Sequence, residues 1–236
     1  RKVLFFNENV NVTAGAHPGR GIVFGQHRAL QGQKRNPFRF KQLGQTGQLE
    51  GVIYQFEQID SMPDPSGLVR VGGLDYGFTN SKTAGVDVLA DIRRKELYVD
   101  EMFYGTGMHN FDIIRALNAH GFPKAARLYA DCAEPKANSE LKLAGFNVWP
   151  SDKGKEIVFQ ISWLQQWDLF VTKSSTNLIH EFRNYLWDTD RDGNRLNHPI
   201  KEFDHAMDAM RYAAFGQLAD FRAPARTTSK MQKLKR

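Results

Sequence analysis

Two apolar runs in this sequence each end at an aspartate, and a third aspartate lies in an apolar-periodic segment near the end of the chain. Asp75 closes the run that begins at Val69, and Asp131 closes the run that begins at Leu128. Asp208 lies in residues 203–218, where apolar residues recur at helical spacing. A carboxylate at the inner end of a buried strand costs free energy unless a positive charge neutralises it. No Lys or Arg that is predicted to be equally buried accompanies these residues, so we predict that a metal ion supplies the charge.

The segments around these aspartates predict an α/β domain. Three strands, at 69–77, 82–92 and 96–104, form an antiparallel meander because such short turns join them. Helices are then predicted at 109–120, 136–144, 154–167, 175–188 and 203–218, alternating with strands at 128–131, 147–150 and 169–172. This order predicts a mixed sheet with antiparallel strands first, parallel strands afterwards, and helices on its faces. A crossover through the first helix would pair strands one and four in parallel and make Asp75 and Asp131 neighbours.

Charge divides the chain into an acidic body and two basic ends. Residues 1–48 carry eight Lys or Arg and one Glu, and residues 222–236 carry six Lys or Arg and no acid. Residues 49–221 carry 18 Lys or Arg and 25 Asp or Glu. A body that holds cations between arms that attract a polyanion explains this distribution, and solubilising tails would explain it equally well. We predict three regions: an irregular basic segment at 1–67, the folded domain at 68–218, and a basic, disordered tail at 219–236.

Three classes of protein are excluded by the composition. The single cysteine, Cys132, excludes an internal disulfide and a cysteine-based zinc cluster, and is typical of a reducing compartment. No apolar run is long enough to span a bilayer, so no membrane partner is expected. No Gly-x-x-x-x-Gly-Lys-Ser/Thr motif occurs, which excludes nucleotide binding of the P-loop type.

The three aspartates meet the needs of metal-dependent phosphodiester hydrolysis. That reaction requires neutralised charge at phosphorus and a deprotonated water, and two divalent ions roughly 3.5–4 Å apart provide both. Mg²⁺ prefers hard oxygen ligands, so Asp75, Asp131 and Asp208 are predicted to be its ligands. His205 lies one helical turn before Asp208 and is predicted to ligate, to orient a carboxylate or to move a proton. Asp204 is either a further acid of the site or the cap of the last helix.

Each of these residues also has an ordinary structural interpretation. A lone aspartate at a strand end is commonly a turn or capping residue, and only the joint occurrence favours a metal site. Asp87 in strand two and Glu101 in strand three are further acids of the meander; both are predicted to face solvent, with orientation toward the site as the alternative for Glu101. Lys153 and Lys155 precede a helix and are predicted to contact DNA phosphates, with solvated surface lysines as the alternative. Four aromatic residues at helical spacing are predicted to belong to the core: Trp163, Trp167, Tyr185 and Trp187.

Six segments carry a resemblance to a known family. They are Gly73-Leu-Asp-Tyr-Gly-Phe-Thr-Asn80, Leu97-Tyr-Val-Asp-Glu-Met-Phe-Tyr104, Tyr129-Ala-Asp-Cys-Ala-Glu-Pro-Lys136, Asp152-Lys-Gly-Lys155, Leu178-Ile-His-Glu-Phe-Arg-Asn-Tyr-Leu-Trp187 and Asp204-His-Ala-Met-Asp-Ala-Met-Arg-Tyr212. Their order resembles the nuclease domain of the large terminase subunit of tailed bacteriophages, within the ribonuclease H-like (retroviral integrase-like) superfamily. The resemblance covers about residues 68–216.

This resemblance implies a function and a set of partners. Asp75, Asp131 and Asp208 would bind two Mg²⁺ or Mn²⁺ ions, with His205 as an accessory residue. The implied activity is endonucleolytic cleavage of concatemeric double-stranded phage DNA during genome packaging, in the cytoplasm of an infected bacterial host. The implied partners are that DNA, the terminase small subunit, the portal protein and the ATPase domain of a full-length chain, to which residues 1–67 would be the linker.

Two other functions remain open from the sequence. A Holliday-junction resolvase or a transposase would use the same fold and the same metals, although neither a dimer face nor a separate DNA-binding domain is evident. A non-catalytic DNA-binding module would keep the fold without the chemistry, and an intact carboxylate set argues against it because buried acids without a metal are destabilising. Nothing resembles an element built for reading bases, so little sequence preference is expected.

Overall fold

The computed structural model describes residues 51–77 and 80–219. The strands are β1 Glu57–Ile59, β2 Val69–Asp75, β3 Lys82–Asp91, β4 Glu96–Thr106, β5 Arg127–Ala130, β6 Asn147–Pro150, β7 Asp168–Thr172, β8 Trp187–Thr189 and β9 Arg195–Pro199. The helices are α1 Asn110–His120, α2 Pro135–Leu143, α3 Ile157–Leu164, α4 Thr176–Asn184 and α5 His205–Leu218. No helix in the described part is long and apolar enough to cross a membrane.

A seven-stranded sheet in the order β1-β7-β4-β3-β2-β5-β6 forms the centre of the fold. Strands β2, β3 and β4 pair antiparallel, whereas β5, β6, β7 and β1 each join the sheet in parallel. The predicted mixed sheet is therefore confirmed. The parallel pairing of β2 with β5 is also as predicted, and its register sets Leu74 opposite Ala130.

Two apolar clusters cover the two faces of this sheet. The larger cluster contains the buried side chains of α3, α4 and α5, and the smaller contains those of α1 and α2. Helix α5 packs closely on β2 because Gly73 lacks a side chain, since a Cβ there would lie 1.8 Å from the carbonyl oxygen of Ala209. This close approach brings the first turn of α5 next to the end of β2.

The described residues ahead of Leu68 take part in the folded core. Ile53, Tyr54 and Phe56 are buried, and β1 pairs in parallel with β7. The Tyr54 ring stacks on Tyr185, with ring centroids 6.1 Å apart. The predicted division at Leu68 stays a prediction, and residues 1–50 and the tail at 220–236 lie outside the described residues.

The predicted helix at 175–188 is too long at its carboxyl end. Helix α4 ends at Asn184, and the chain continues into the β8–β9 hairpin around Gly193, whose φ is 81°. The residues after α4 are drawn into strand pairing by a distant segment, because Val52 bridges Leu186 and the Trp187 amide donates to the Gly51 carbonyl at 3.2 Å. Helical periodicity alone does not reveal this competing partner.

The prediction that Asp87 faces solvent is wrong. Strand β3 is the middle strand of the sheet, and Asp87 is only 2% exposed. The Arg70 guanidinium donates to both of its carboxylate oxygens, with Nε at 3.1 and 3.0 Å and Nη2 at 2.5 Å from Oδ2. Glu101 is partly buried, and its carboxylate accepts a hydrogen bond from the Leu178 amide at 2.8 Å in the first turn of α4. Both acids are therefore structural groups.

Candidate active site

The three predicted aspartates and His205 meet at one edge of the sheet. Asp75 is the last residue of β2, and Asp131 directly follows β5. The Asp131 amide donates to the Leu74 carbonyl at 3.1 Å, so the two aspartates follow paired positions on adjacent parallel strands. Helix α5 crosses β2 and carries His205 and Asp208 in its first turn.

Asp75 is buried and bound to His205. Asp75 is 9% exposed, and its Oδ2 lies 3.2 Å from Nδ1 of the His205 imidazole. Burial raises the pKa of Asp75 to about 6; the hydrogen bond from His205 works against this rise, and the charges of Asp208 and Asp131 add to it. The same hydrogen bond raises the pKa of His205. The Ser81 hydroxyl lies 3.3 Å from Nε2, so both ring nitrogens have a partner.

Asp131 is paired with a lysine from the loop after β6. The Lys153 ammonium lies 2.6 Å from Oδ1 of Asp131 and 5.9 Å from the centre of the Tyr212 ring. Partial burial lowers the pKa of Lys153, but its hydrogen bond to Asp131 and the charge of that carboxylate raise it overall. On the backbone side, the Asn138 side-chain amide donates to the Asp131 carbonyl at 2.9 Å and holds the turn after β5.

Asp208 is paired with a buried arginine on its own helix. The Arg211 Nη2 lies 2.7 Å from Oδ1 of Asp208, and Nη1 donates to Oε1 of Gln160 in α3 at 2.7 Å. The arginine is 6% exposed. The 2.7 Å contact between Nη2 and Oδ1 is an ion pair without hydrogen-bond geometry. Asp208 Oδ1 and Arg211 Nε are both buried, and neither has a hydrogen-bond partner among the described residues. Tyr212 donates to the other oxygen of Asp208 at 3.3 Å.

The premise that no buried cation accompanies the aspartates is therefore wrong. Arg211 lies three residues after Asp208, and that spacing on a helix was a visible signal of an ion pair. Lys153 was predicted to contact DNA, and the structure places it on Asp131. Its neighbour Lys155 lies apart, in a groove of about 290 Å³ with Phe159, Trp163 and Phe215.

The aromatic residues divide between the core and this groove. Trp167, Tyr185 and Trp187 are buried, as predicted, whereas Trp163 packs on the core while lining the groove. Phe159 is 55% exposed. Helix α3 begins at Ile157 rather than at the predicted 154.

The three carboxylates are donors of the kind that a divalent cation prefers, but each lies against a basic side chain of its own. In the described ranges 51–77 and 80–219, no three His, Cys, Asp or Glu side chains lie close enough together to hold a metal ion. The pairs are Asp75–His205, Asp131–Lys153 and Asp208–Arg211. Carboxylate oxygens suit Mg²⁺ or Mn²⁺, and one of these oxygens, Oδ1 of Asp208, lacks a hydrogen bond. The charges of Asp208 and Asp131 help to raise the pKa of Asp75, and a bound cation would relieve this repulsion.

Comparison with known proteins adds independent findings. The family described as the terminase RNase H-like domain matches residues 75–215. Over 149 residues the chain is 30% identical to the terminase large subunit of Bacillus phage SPP1, an alignment that covers 60% of this chain and 34% of that protein. The chain therefore spans about a third of the length of this relative.

Solved structures of similar fold come from the same group of proteins. The nuclease domain of the SPP1 large terminase, crystallised with bound Mn, has a TM-score of 0.62 at 22% identity, covering 70% of this chain and 97% of that domain. The nuclease domain of the P22 large terminase has a TM-score of 0.55 at 18% identity, covering 69% of this chain and 90% of that one. At these identities the likeness establishes the fold.

Proposed function

The chain belongs to the terminase RNase H-like domain family, and on that basis we propose that it is a metal-dependent endonuclease that cuts double-stranded DNA during phage genome packaging. The observation that carries the proposal is the placement of Asp75 and Asp131 at the carboxyl ends of β2 and β5, beside the first turn of α5, which carries Asp208. These residues come from segments far apart in the sequence.

The metal is proposed to be Mg²⁺ or Mn²⁺, with two ions held by the three aspartates. Support comes from the oxygen donor set and from the bound Mn in the SPP1 nuclease domain. When bound, such ions lower the pKa of a water and neutralise charge on the phosphoryl oxygens and the leaving oxygen. His205 is proposed to act as an accessory residue beside Asp75.

The protein's own groups set the charge and orientation of the site. Burial raises the pKa of Asp75 to about 6, so this carboxylate is mostly ionised at neutral pH. Both ring nitrogens of His205 have a hydrogen-bond partner, which orients the imidazole with Nδ1 toward Asp75. Arg211 pairs with Asp208 and orients it, and Gln160 in turn holds Arg211 through a hydrogen bond.

Lys153 is proposed to contact a DNA phosphate once Asp131 has another cation. Its side chain is 46% exposed, and it lies in a loop next to Gly154, so the ammonium has room to turn outward. Lysine is a common phosphate ligand because its charge is compact and its stem is flexible. Lys155 is proposed to contact the DNA farther along, beside the aromatic groove.

Family membership supports a proposal for the substrate and the partners. The substrate is proposed to be concatemeric DNA, cut with little sequence preference. The SPP1 relative is about three times longer than the matched region, so an ATPase domain is proposed to accompany this domain in a full-length chain. The terminase small subunit and the portal protein are the further proposed partners, in the cytoplasm of the host.

A plasmid-cleavage assay tests the proposal. Supercoiled plasmid is incubated with the 236-residue chain and Mn²⁺ or Mg²⁺, with and without EDTA. We expect nicked, linear and then smeared DNA with metal, none with EDTA, and none with Asp75→Asn or Asp131→Asn. Asp168→Asn, at the start of β7, is the matched control and should cut like the wild type.

Other outcomes would contradict the proposal. DNA binding without cleavage at any metal concentration would indicate a non-catalytic DNA-binding module. Cleavage of four-way junctions far in excess of linear duplex would indicate a resolvase, and discrete bands would contradict the expected lack of sequence preference.

A further inference from the structure

Glu181 is a buried carboxylate whose role the proposed chemistry leaves open. It lies in α4, within the segment Leu178–Trp187 that contributed to the family resemblance, and it is 1% exposed. A carboxylate so deeply buried is destabilising unless its oxygens are fully hydrogen-bonded. Both oxygens of Glu181 have partners, and these partners show what it does.

The first partners are backbone amides at the start of α5. Oε2 of Glu181 accepts hydrogen bonds from the Ala206 amide at 2.7 Å and the Met207 amide at 3.1 Å. The first amides of a helix have no partner within the helix, and here both residues are buried. The residue at the usual capping position, Asp204, makes no side-chain hydrogen bond to the helix. Glu181 therefore caps α5 from a different helix.

The second partner ties this cap to the sheet. Oε1 of Glu181 accepts a hydrogen bond from the Tyr104 hydroxyl at 2.7 Å, and Tyr104 belongs to β4. One carboxylate thus joins α4, α5 and the sheet. Its negative charge also lies at the positive end of the α5 dipole, which adds to the stabilisation.

We propose that Glu181 is a positioning residue that holds His205 and Asp208 in place for metal binding, a role that rests on the proposed metal-dependent function. The two capped amides lie between His205 and Asp208 in sequence, so they fix the turn that presents both side chains to Asp75. Glu181 is not itself a ligand, because its oxygens are occupied by the α5 amides and Tyr104. Groups that orient metal ligands in this way typically change metal affinity by about 10- to 100-fold when removed.

The test measures Mn²⁺ binding without DNA, by electron paramagnetic resonance of the free ion, on the full chain well below its melting temperature. Glu181→Ala removes the cap and should weaken Mn²⁺ binding about tenfold or more. Glu181→Gln keeps one oxygen for both amides and should stay within about threefold of the wild type, since it loses only the charge at the helix end. Arg70→Met, which removes a distant buried ion pair, is the control for lost stability and should leave the Mn²⁺ affinity unchanged.

Amide hydrogen exchange at Ala206 and Met207 separates the possible failures. Faster exchange in Glu181→Ala with unchanged Mn²⁺ affinity would overturn the positioning role while leaving the endonuclease proposal intact. If Glu181→Ala does not fold, Glu181→Asp takes its place, because the shorter side chain cannot keep both amide contacts; faster exchange in that variant with wild-type Mn²⁺ affinity would overturn the role as well. Absence of Mn²⁺ binding by the wild type would overturn the proposed function, and this role with it.

Discussion

The ammonium of Lys153 lies 2.6 Å from Oδ1 of Asp131, where a metal-dependent nuclease would need that oxygen free. Asp75 and Asp208 likewise contact His205 and Arg211. Each of the three acids thus lies against a basic side chain of its own. Two of these cations differ in a useful way: Arg211 is buried, whereas Lys153 is partly exposed and able to leave.

Lys153→Met should tighten Mn²⁺ binding in the absence of DNA. The lysine competes with the metal for Asp131, and a partly exposed ion pair is worth up to about 1 kcal/mol, so the affinity should rise about two- to fivefold. Calorimetric titration measures this change, with Lys155→Met as the matched control. Lys153→Met should also bind DNA more weakly than the wild type. Weaker Mn²⁺ binding by Lys153→Met would show that the lysine supports the metal site instead of competing with it.

Asp75→Asn and Asp208→Asn should change metal-free stability in opposite directions at pH 7. Asp75 is ionised at a cost, since its pKa is raised to about 6, and the neutral asparagine should stabilise the fold by roughly 2–3 kcal/mol. Asp208→Asn leaves the buried Arg211 without its counter-charge and should destabilise by about 3 kcal/mol. Thermal unfolding in EDTA measures both, and equal shifts of the same sign would contradict the pairing described for the site.

The pH dependence of metal-free stability should reveal the raised pKa of Asp75. Its pKa is about 6 in the folded protein and 3.8 in a free side chain, so the folded state binds the proton more tightly. The associated stability is fully present below pH 4 and is lost as the pH rises through 6. His205, whose pKa is also raised, adds a loss of the same sign at higher pH. Urea unfolding in EDTA from pH 4 to 7 should show a decline that is smaller in Asp75→Asn; an identical decline in both would contradict the assignment.

Arg70→Met should lower stability without lowering cleavage by the folded protein. Arg70 is the main counter-charge of the buried Asp87, on a part of the sheet away from the aspartate triad. Leaving the Asp87 carboxylate without its counter-charge should lower the free energy of unfolding by about 3 kcal/mol. The His120 ring nitrogen, 3.4 Å from the same carboxylate, should offset part of this loss. Unfolding in urea gives the free-energy change, and plasmid cleavage at 20 °C gives the activity. Loss of metal-dependent cleavage by fully folded Arg70→Met would connect this pair to the site.

The parts of the fold that depend on local patterns were predictable from sequence. Apolar runs ending at Asp75 and Asp131, and the crossover between them, were enough to predict the β2–β5 pairing. The parts that failed depend on distant partners. The chain after Asn184 leaves the helix because β8 pairs with β9 and residues 51–52 contact Leu186 and Trp187. Asp87 is buried because β3 lies in the middle of the sheet.

The candidate site shows the same division. The positions of its acids could be predicted, but the cations that hold them could not be predicted in full. Arg211 was recognisable by spacing, whereas Lys153 reaches Asp131 only because β6 pairs with β5. The cap that Glu181 provides depends on the packing of α4 against α5, for which a single sequence carries no signal.

Anomalous X-ray diffraction from a crystal of the full chain soaked in Mn²⁺ tests the central claim most directly. The account predicts manganese peaks bounded by the carboxylates of Asp75, Asp131 and Asp208, with the Lys153 ammonium displaced from Asp131. Manganese bound elsewhere, or no manganese at this edge of the sheet with the Lys153–Asp131 pair intact, would contradict it.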